Sequence, residues 1–170
     1  LSEGNTFGTS TLGQGVKINN EFISANPTGP LHLGNARGGF YADSLSNVLR
    51  KAGFDVVNEY YVNDAGEQVM KLRHSILQSS KAVYGGAYIE QLADRFRERS
   101  EAKVGAPGEN AGEWGAGVIL EEMIKPVVRD VMRVHFDQWT SEKKIIEDGY
   151  VEKAMAILKE KELTFEEEGA

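Results

Sequence analysis

The sequence contains no cysteine and only three histidines, His32, His74 and His135. Disulfide bonds and thiolate metal sites are therefore excluded, and the histidines show no metal-ligand spacing. No apolar run approaches the roughly 18 residues of a membrane-spanning helix, and the N-terminus lacks a basic segment followed by an apolar one. These absences predict a cytoplasmic protein with no membrane partner and no dedicated metal site.

Positive charge is also scarce, because 19 Lys and Arg face 26 Asp and Glu, giving a formal net charge of −7. A surface that wraps a nucleic-acid backbone needs clustered Lys and Arg, so tight nucleic-acid binding by this chain alone is not expected. With 170 residues, 41% of them apolar and 26% charged, the chain is typical of a globular domain with a core.

The most informative segment is S-A-N-P-T-G-P-L-H-L-G-N, residues 24–35. It lies between a predicted strand (16–24) and a predicted helix (35–52) that Gly53 ends. In such a unit, backbone N–H groups and the positive end of a helix converge on an anion. His32 and Asn35 add side-chain donors, and Gly34 has no Cβ to obstruct a base or ribose. The segment predicts a nucleotide-phosphate site.

The rest of the chain predicts alternating strands and helices, hence an α/β fold with a parallel sheet. The first strand lacks clean alternation, which favours burial on both faces. The apolar residues of the first helix, Phe40, Tyr41, Leu45, Val48, Leu49 and Ala52, recur at helical spacing. After it the sequence predicts a strand over 54–62, a helix from Asn63-Asp64 to Val83, a helix over 88–103 and a flexible loop over 105–117. A helix over 118–135, divided or kinked at Pro126, and a strand over 136–140 follow. The last predictions are a new element at Ser141, a helix over 149–161 and a strand start at 163–165.

The tetrad His32-Leu33-Gly34-Asn35 resembles the "HIGH" signature of class I aminoacyl-tRNA synthetases. A lone H-x-G-x is a weak signal, but longer segments extend the match. Residues 21–30 (E-F-I-S-A-N-P-T-G-P), 36–38 (A-R-G) and 60–66 (Y-Y-V-N-D-A-G) resemble bacterial arginyl-tRNA synthetases in order and spacing. Asn35 departs from the second His of the signature, so it keeps a donor and loses the option of a positive charge.

The resemblance implies the first half of a class I synthetase Rossmann-like nucleotide-binding domain with helical insertions. It divides the chain into an N-terminal loop (1–15), that half-domain (16–141) and the start of a connecting insertion (142–170), which is truncated. The second, lysine-bearing signature loop and the anticodon-binding part would lie outside this chain. We therefore expect the chain to be inactive alone and to self-associate through an open sheet edge.

The implied activity is ATP-dependent conversion of L-arginine to arginyl-adenylate and transfer to tRNA-Arg, with Mg²⁺ accompanying ATP. tRNA would be contacted mainly by parts outside this chain. The resemblance gives His32 and Asn35 catalytic roles and groups the other site residues by ligand. ATP would be bound by Pro27, Thr28, Gly29, His32, Gly34 and Asn35, and arginine by Glu21, Ser24, Asn26 and His32.

Three further candidates are Asn63, Asp64 and Arg37, for which a turn or helix cap and a surface salt bridge are the competing interpretations. Structural alternatives also exist for His32 and Asn35, as helix caps, and for Glu21, as a solvated carboxylate on an edge strand.

A glutamyl-type synthetase is an alternative function, but that family carries Arg where this chain has Phe22. Because the adjacent charge here is Glu21, a basic substrate fits better. A non-catalytic ligand-binding module remains the second alternative.

Overall fold

A parallel three-stranded sheet organises the protein, for which a computed structural model describes residues 4–101 and 110–165. The strands are β1 (Lys17–Glu21), β2 (Asp55–Val62) and β3 (Gln138–Ser141), and β2 lies in the middle. Lys17 pairs with Asp55, and Glu59 pairs with both Glu21 and Gln138. The predicted α/β class with a parallel sheet is confirmed.

Helices connect and follow the strands. They are α1 (Leu33–Lys51), α2 (Gly66–Ile76), α3 (Ala87–Glu101), α4 (Ala111–Val118), α5 (Glu142–Glu147) and α6 (Tyr150–Glu160). After α4 the chain continues as two π-helical segments, Ile119–Ile124 and Val127–Val131. Lys125 and Pro126 between them keep helical backbone angles, and the helical run ends at Val131 instead of at His135, the predicted end. Gly53, with φ +90°, follows the last turn of α1 and ends it as predicted.

Four other predictions about these elements are wrong. Residues 111–117 form α4 instead of a flexible loop, because Asn110 caps the helix by accepting from Gly112 N–H at 2.9 Å; residues 102–109 lie outside the described part. Helix α2 ends at Ile76, and its start is capped by neither Asn63 nor Asp64. Beyond it, Gln78 is left-handed and the Val83 and Tyr84 N–H groups bond Ser75 Oγ. Residues 163–165 form no strand.

The buried face of α1 is made of small residues, Gly39, Ala42 and Ser46. The apolar residues at helical spacing lie elsewhere: Phe40 is 51% exposed, Tyr41 75% and Val48 64%. The implied packing of that apolar face is therefore wrong, although the helix itself is confirmed. Small residues allow α1 to lie close to the sheet, where Asn20 Nδ2 donates to Ser46 Oγ (2.7 Å) and Ser46 Oγ donates to the buried Asn58 Oδ1 (2.6 Å).

An aromatic cluster joins the sheet to the helical layer. The ring of Tyr60 stacks on Trp139 at 4.4 Å between centroids and meets Phe136 edge-on at 5.3 Å. Phe22 lies 4.5 Å from Phe136. Around these rings pack apolar residues of α2, α3, α4 and the π-helical segments, namely Leu72, Ile76, Ile89, Leu92, Ala116, Ile119, Ile124 and Val128.

The opposite face of the sheet is polar and solvent-exposed. Along β1, Lys17, Asn19 and Glu21 are exposed, so the expectation that this strand is buried on both faces is wrong. Glu59 accepts hydrogen bonds on this face from Asn19 Nδ2 and Thr140 Oγ1. These three side chains form a polar ladder across all three strands. The face has polar side chains because no described helix covers it.

Candidate functional site

A pocket of about 490 Å³ opens beside the loop that follows β1. One wall is the loop over residues 23–30, another is the start of α1, and a third is the segment that leads into α3. The lining residues are Ile23, Ser24, Ala25, Asn26, Thr28, Gly29, Pro30, His32, Asn35, Tyr84 and Tyr88. The structure thus brings together six predicted site residues: Ser24, Asn26, Thr28, Gly29, His32 and Asn35. Pro27 belongs to the same loop but is buried.

The loop begins with a sharp bend. Ile23 (φ +63°) and Ser24 (φ +38°) are both left-handed, so β1 ends at Glu21 instead of continuing to Ser24 as predicted. This conformation is costly for a β-branched residue. Gly39 accommodates it, because a Cβ there would come within 2.8 Å of Ile23 Cδ1. Ser24 Oγ accepts from the Tyr61 N–H at 3.0 Å, which ties the bend to β2.

Two tyrosine hydroxyls hold the carbonyls of the loop. Tyr60 donates to the Ala25 carbonyl and Tyr88 donates to the Thr28 carbonyl, each at 3.0 Å. Tyr60 is fully buried, and burial raises the pKa of its phenol far above the ordinary range, so this donor stays protonated. Burial, followed by the neighbouring Tyr84, also raises the pKa of Tyr88.

His32 occupies the N-cap position of α1, with an extended backbone (φ −118°, ψ 171°). Asn35 Oδ1 accepts from the His32 N–H at 3.2 Å, which leaves the Asn35 amide nitrogen as a donor at the pocket. A Cβ on Gly34 would lie 3.1 Å from the His32 imidazole, so Gly34 makes room for that ring. His32 is thus the N-cap through its backbone, and Asn35, the third residue of the helix, contributes through its side-chain oxygen. The His32 ring is exposed. A helix start with these donors is suited to an anion.

Comparison with known proteins identifies the relatives of this chain. An arginine–tRNA ligase of Anoxybacillus flavithermus is 39% identical over 186 residues, which cover 100% of this chain and 33% of that protein. One from Desulfosudis oleivorans is 39% identical over 178 residues, covering 96% and 32%. The chain is homologous to one third of an arginyl-tRNA synthetase. No family model matches it.

Solved structures agree with this relationship. The crystal structure of a Campylobacter jejuni protein assigned as an arginyl-tRNA synthetase has a TM-score of 0.79 at 31% identity, covering 99% of this chain and 39% of that one. The arginyl-tRNA synthetase of Thermus thermophilus, at 19% identity, shares the fold with a TM-score of 0.52, covering 85% and 26%. The resemblance to arginyl-tRNA synthetases stated from the sequence is confirmed.

Glu21, the predicted guanidinium partner, does not line the pocket. It is the last residue of the edge strand β1 and its side chain is exposed. Negative charge nevertheless gathers near this strand end. The pKa of Tyr61 is raised first by burial and then by the carboxylates of Glu142, Asp64 and Glu21. Three carboxylates, from β1, from the loop after β2 and from α5, therefore act on one position of β2.

The remaining candidates lie outside the pocket. Asp64 accepts from Ser141 Oγ at 2.7 Å and from the Lys143 N–H at 2.9 Å, so it caps the start of α5. Asp64 is therefore a helix cap, but for α5 and not for α2, the helix that follows it in the sequence. Asn63 lies beside it at the end of β2. Arg37 is exposed on α1 and makes no ion pair with any residue that the structure describes.

Tyr84 and Tyr88 are the site residues that sequence reasoning missed. Tyr84 donates to Gln68 Oε1 of α2 at 2.6 Å, and Tyr88 belongs to the first turn of α3. Nothing in the sequence around Gly85-Gly86 resembles a ligand motif, because the two tyrosines reach the pocket only through the packing of α2 and α3.

Among residues 4–101 and 110–165, no group of three or more His, Asp or Glu side chains could hold a metal ion. No helix in these ranges is long and apolar enough to cross a membrane.

Proposed function

We propose that this chain is part of an arginine–tRNA ligase, which converts L-arginine and ATP to arginyl-adenylate and transfers the arginine to tRNA-Arg. The observation that carries the proposal is the pocket at the carboxyl end of β1, where the first turn of α1, His32 and Asn35 meet the loop over 23–30. Ligands of open α/β sheets bind at the carboxyl ends of the strands.

In this proposal the ATP phosphates contact the start of α1. The Gly29 backbone, the His32 ring and the Asn35 amide face them as donors, and Pro27, Thr28 and Gly34 border the ribose and base. The carboxylate oxygen of arginine attacks the α-phosphorus, and pyrophosphate leaves. His32 then stabilises the charge that develops on the α-phosphate oxygens. Mg²⁺ bound to the ATP phosphates would neutralise part of their charge, and the described residues offer no separate cage for it.

The arginine side chain is assigned to Glu21, with Ser24 and Asn26 completing the amino-acid site. A guanidinium is the cation whose fork best matches a carboxylate. The carboxylates of Glu21, Asp64 and Glu142 around Tyr61 favour a basic substrate. The same negative charge disfavours glutamate, which counts against the glutamyl-type alternative.

The chain spans about a third of the length of the curated relatives that it matches. We therefore assign most tRNA contact to other parts of the enzyme, in keeping with the net charge of −7. We also propose that the enzyme is cytoplasmic, that the half-domain ends near residue 141, and that residues 142–170 begin a connecting insertion. The chain alone would then be a ligand-binding unit without aminoacylation activity.

Calorimetric titration of this chain tests the substrate assignment. We expect weak binding of ATP and of L-arginine and none of L-glutamate. Binding of L-glutamate in preference to L-arginine would contradict the assignment in favour of the glutamyl-type alternative. Binding of neither amino acid nor ATP would contradict the ligand site itself.

The role of His32 is tested in the complete enzyme of which we propose this chain is a part. Arginylation by the His32→Ala variant should slow by about 10² to 10³-fold, with little change in the KM for ATP, because the donor acts on charge developed in the transition state. His135→Ala is the control, since that exposed side chain contacts Asp137 far from the pocket. An effect confined to the KM for ATP would refute the transition-state role.

A further inference from the structure

Tyr88 is the one residue that connects the helical segment between β2 and β3 to the pocket loop by a hydrogen bond, among the residues described. Its hydroxyl donates to the Thr28 carbonyl at 3.0 Å. Its ring lies against Gly29, where a Cβ would come within 3.3 Å of the hydroxyl oxygen. A side chain at position 29 would therefore displace the hydroxyl by a few tenths of an ångström.

This contact fixes the direction of a peptide group at the pocket. In a planar trans peptide, the C=O of one residue and the N–H of the next point in opposite directions. When Tyr88 holds the Thr28 carbonyl, it also sets where the Gly29 N–H points. The Gly29 N–H donates to no backbone group in the described residues. The hydroxyl of Tyr88 is the side-chain group that holds the carbonyl of the same peptide.

The neighbouring tyrosine provides a contrast. Tyr84 also lines the pocket, but its hydroxyl donates to Gln68 Oε1 of α2 at 2.6 Å and does not touch the loop. Tyr60 holds the Ala25 carbonyl from the other side of the loop. Tyr60 is fully buried in the sheet, whereas Tyr88 is only half-buried at the first turn of a helix.

We propose that Tyr88 is a positioning residue for the nucleotide site: through the Thr28 carbonyl, its hydroxyl sets the Gly29 N–H as a donor to an ATP phosphate. The proposal rests on the proposed function of the pocket. It assigns a role in ligand binding to the helical segment between β2 and β3.

The experiment compares Tyr88→Phe with Tyr41→Phe in this chain, because each removes one hydroxyl and keeps the ring, and Tyr41 is 75% exposed on α1 and does not line the pocket. Two quantities are measured by NMR: the affinity for ATP with magnesium, by titration, and the amide resonances of Thr28 and Gly29 without ligand. Loss of one neutral hydrogen bond should weaken ATP binding about 3- to 10-fold in Tyr88→Phe. Tyr41→Phe should stay within about twofold of the unmodified chain, because its exposed hydroxyl lies outside the pocket.

The two readouts separate the proposal from the function on which it rests. Shifted Thr28 and Gly29 resonances in Tyr88→Phe alone, with weaker ATP binding, support the proposal. Unchanged resonances in Tyr88→Phe, or equal losses of affinity in both variants, overturn it. If the unmodified chain binds no ATP, the nucleotide assignment fails and with it the role of Tyr88 toward a phosphate. The resonances then still report whether Tyr88 orients the loop.

Discussion

At the scale of single residues, the site depends on backbone geometry that only its surroundings can maintain. Two consecutive left-handed residues, Ile23 and Ser24, cost about 1–3 kcal/mol each. They persist because Gly39 makes space for the Ile23 side chain and Tyr61 N–H bonds Ser24 Oγ. Strain of this kind is common where a chain must present groups to a ligand.

Glu21 offers a direct test of the arginine assignment. In the complete enzyme, Glu21→Gln should raise the KM for arginine by about 10- to 100-fold, because a charge-assisted hydrogen bond contributes roughly 1.5 to 3 kcal/mol. Asp55→Asn is a matched control, since Asp55 is an exposed carboxylate at the other end of the same sheet. If Glu21→Gln leaves the KM for arginine and the kcat unchanged, Glu21 is only a solvated carboxylate on an edge strand.

The raised pKa of Tyr60 predicts how the free energy of unfolding depends on pH. Burial raises its pKa above the ordinary value of 10.0, so the folded chain keeps this proton where the unfolded chain loses it. The free energy of unfolding should therefore fall as pH rises above about 10. In Tyr60→Phe this contribution disappears, so urea unfolding at pH 9 and pH 11 should differ less than in the unmodified chain. An equal difference in both proteins would contradict the prediction.

Much of the pocket lining could be predicted at this scale, because Thr28, Gly29, His32 and Asn35 stand at the spacing of a loop that enters a helix; their roles toward ATP and arginine stay predictions. The left-handed bend could not, since Ile23 has no local preference for positive φ and adopts it through contacts with Gly39 and β2. The Tyr88 contact joins positions that are 60 residues apart. Periodicity and composition carry no information about such a pair.

At the scale of elements, α1 shows what periodicity leaves undetermined. The spacing of Phe40, Tyr41 and Val48 predicted the helix, and the helix is present. The face that meets the sheet is instead set by Gly39, Ala42 and Ser46, whose small side chains allow close approach and a hydrogen bond to Asn58. An apolar stripe shows that a helix has a partner surface, but it does not identify the sheet as that partner.

Two glycines of α4, Gly112 and Gly117, allow a paired test of how this helix packs. A Cβ at Gly112 would overlap the Val69 carbonyl oxygen of α2, whereas a Cβ at Gly117 meets nothing within 4 Å. Gly112→Ala should destabilise the fold by about 1 to 3 kcal/mol through overpacking. Gly117→Ala should stabilise it by about 0.5 to 1 kcal/mol, because alanine favours a helix. Equal effects of the two changes on urea unfolding would show that α4 does not pack as described.

At the scale of the whole molecule, several surfaces are left uncovered within the described residues. The strand β1 has β2 as its only partner, one face of the sheet is polar and exposed, and α6 buries no residue. Parallel sheets are ordinarily covered on both faces. These surfaces fit a chain that matches only a third of its relatives' length.

We accordingly expect this chain alone to show no ATP–pyrophosphate exchange, with or without tRNA. An unpaired strand edge favours association, so sedimentation should reveal a concentration-dependent dimer. A Val48→Lys variant distinguishes the surfaces, because it places a charge on the exposed stripe of α1 and leaves β1 unchanged. Dimerisation through β1 should persist in that variant, and its disappearance would assign the contact to α1. Exchange activity that His32→Ala abolishes would contradict the expectation of inactivity.

The ladder of Asn19, Glu59 and Thr140 has a consequence for synthesis on the ribosome. Its last two members are 81 positions apart, yet they bond across neighbouring strands. At about 5 to 20 residues per second, roughly 4 to 16 seconds separate the appearance of Glu59 from that of Thr140. During this interval β1, α1 and β2 are already outside, while the free edge of β2 awaits its neighbour. The helices that emerge in between therefore have time to fold before β3 can pair with β2.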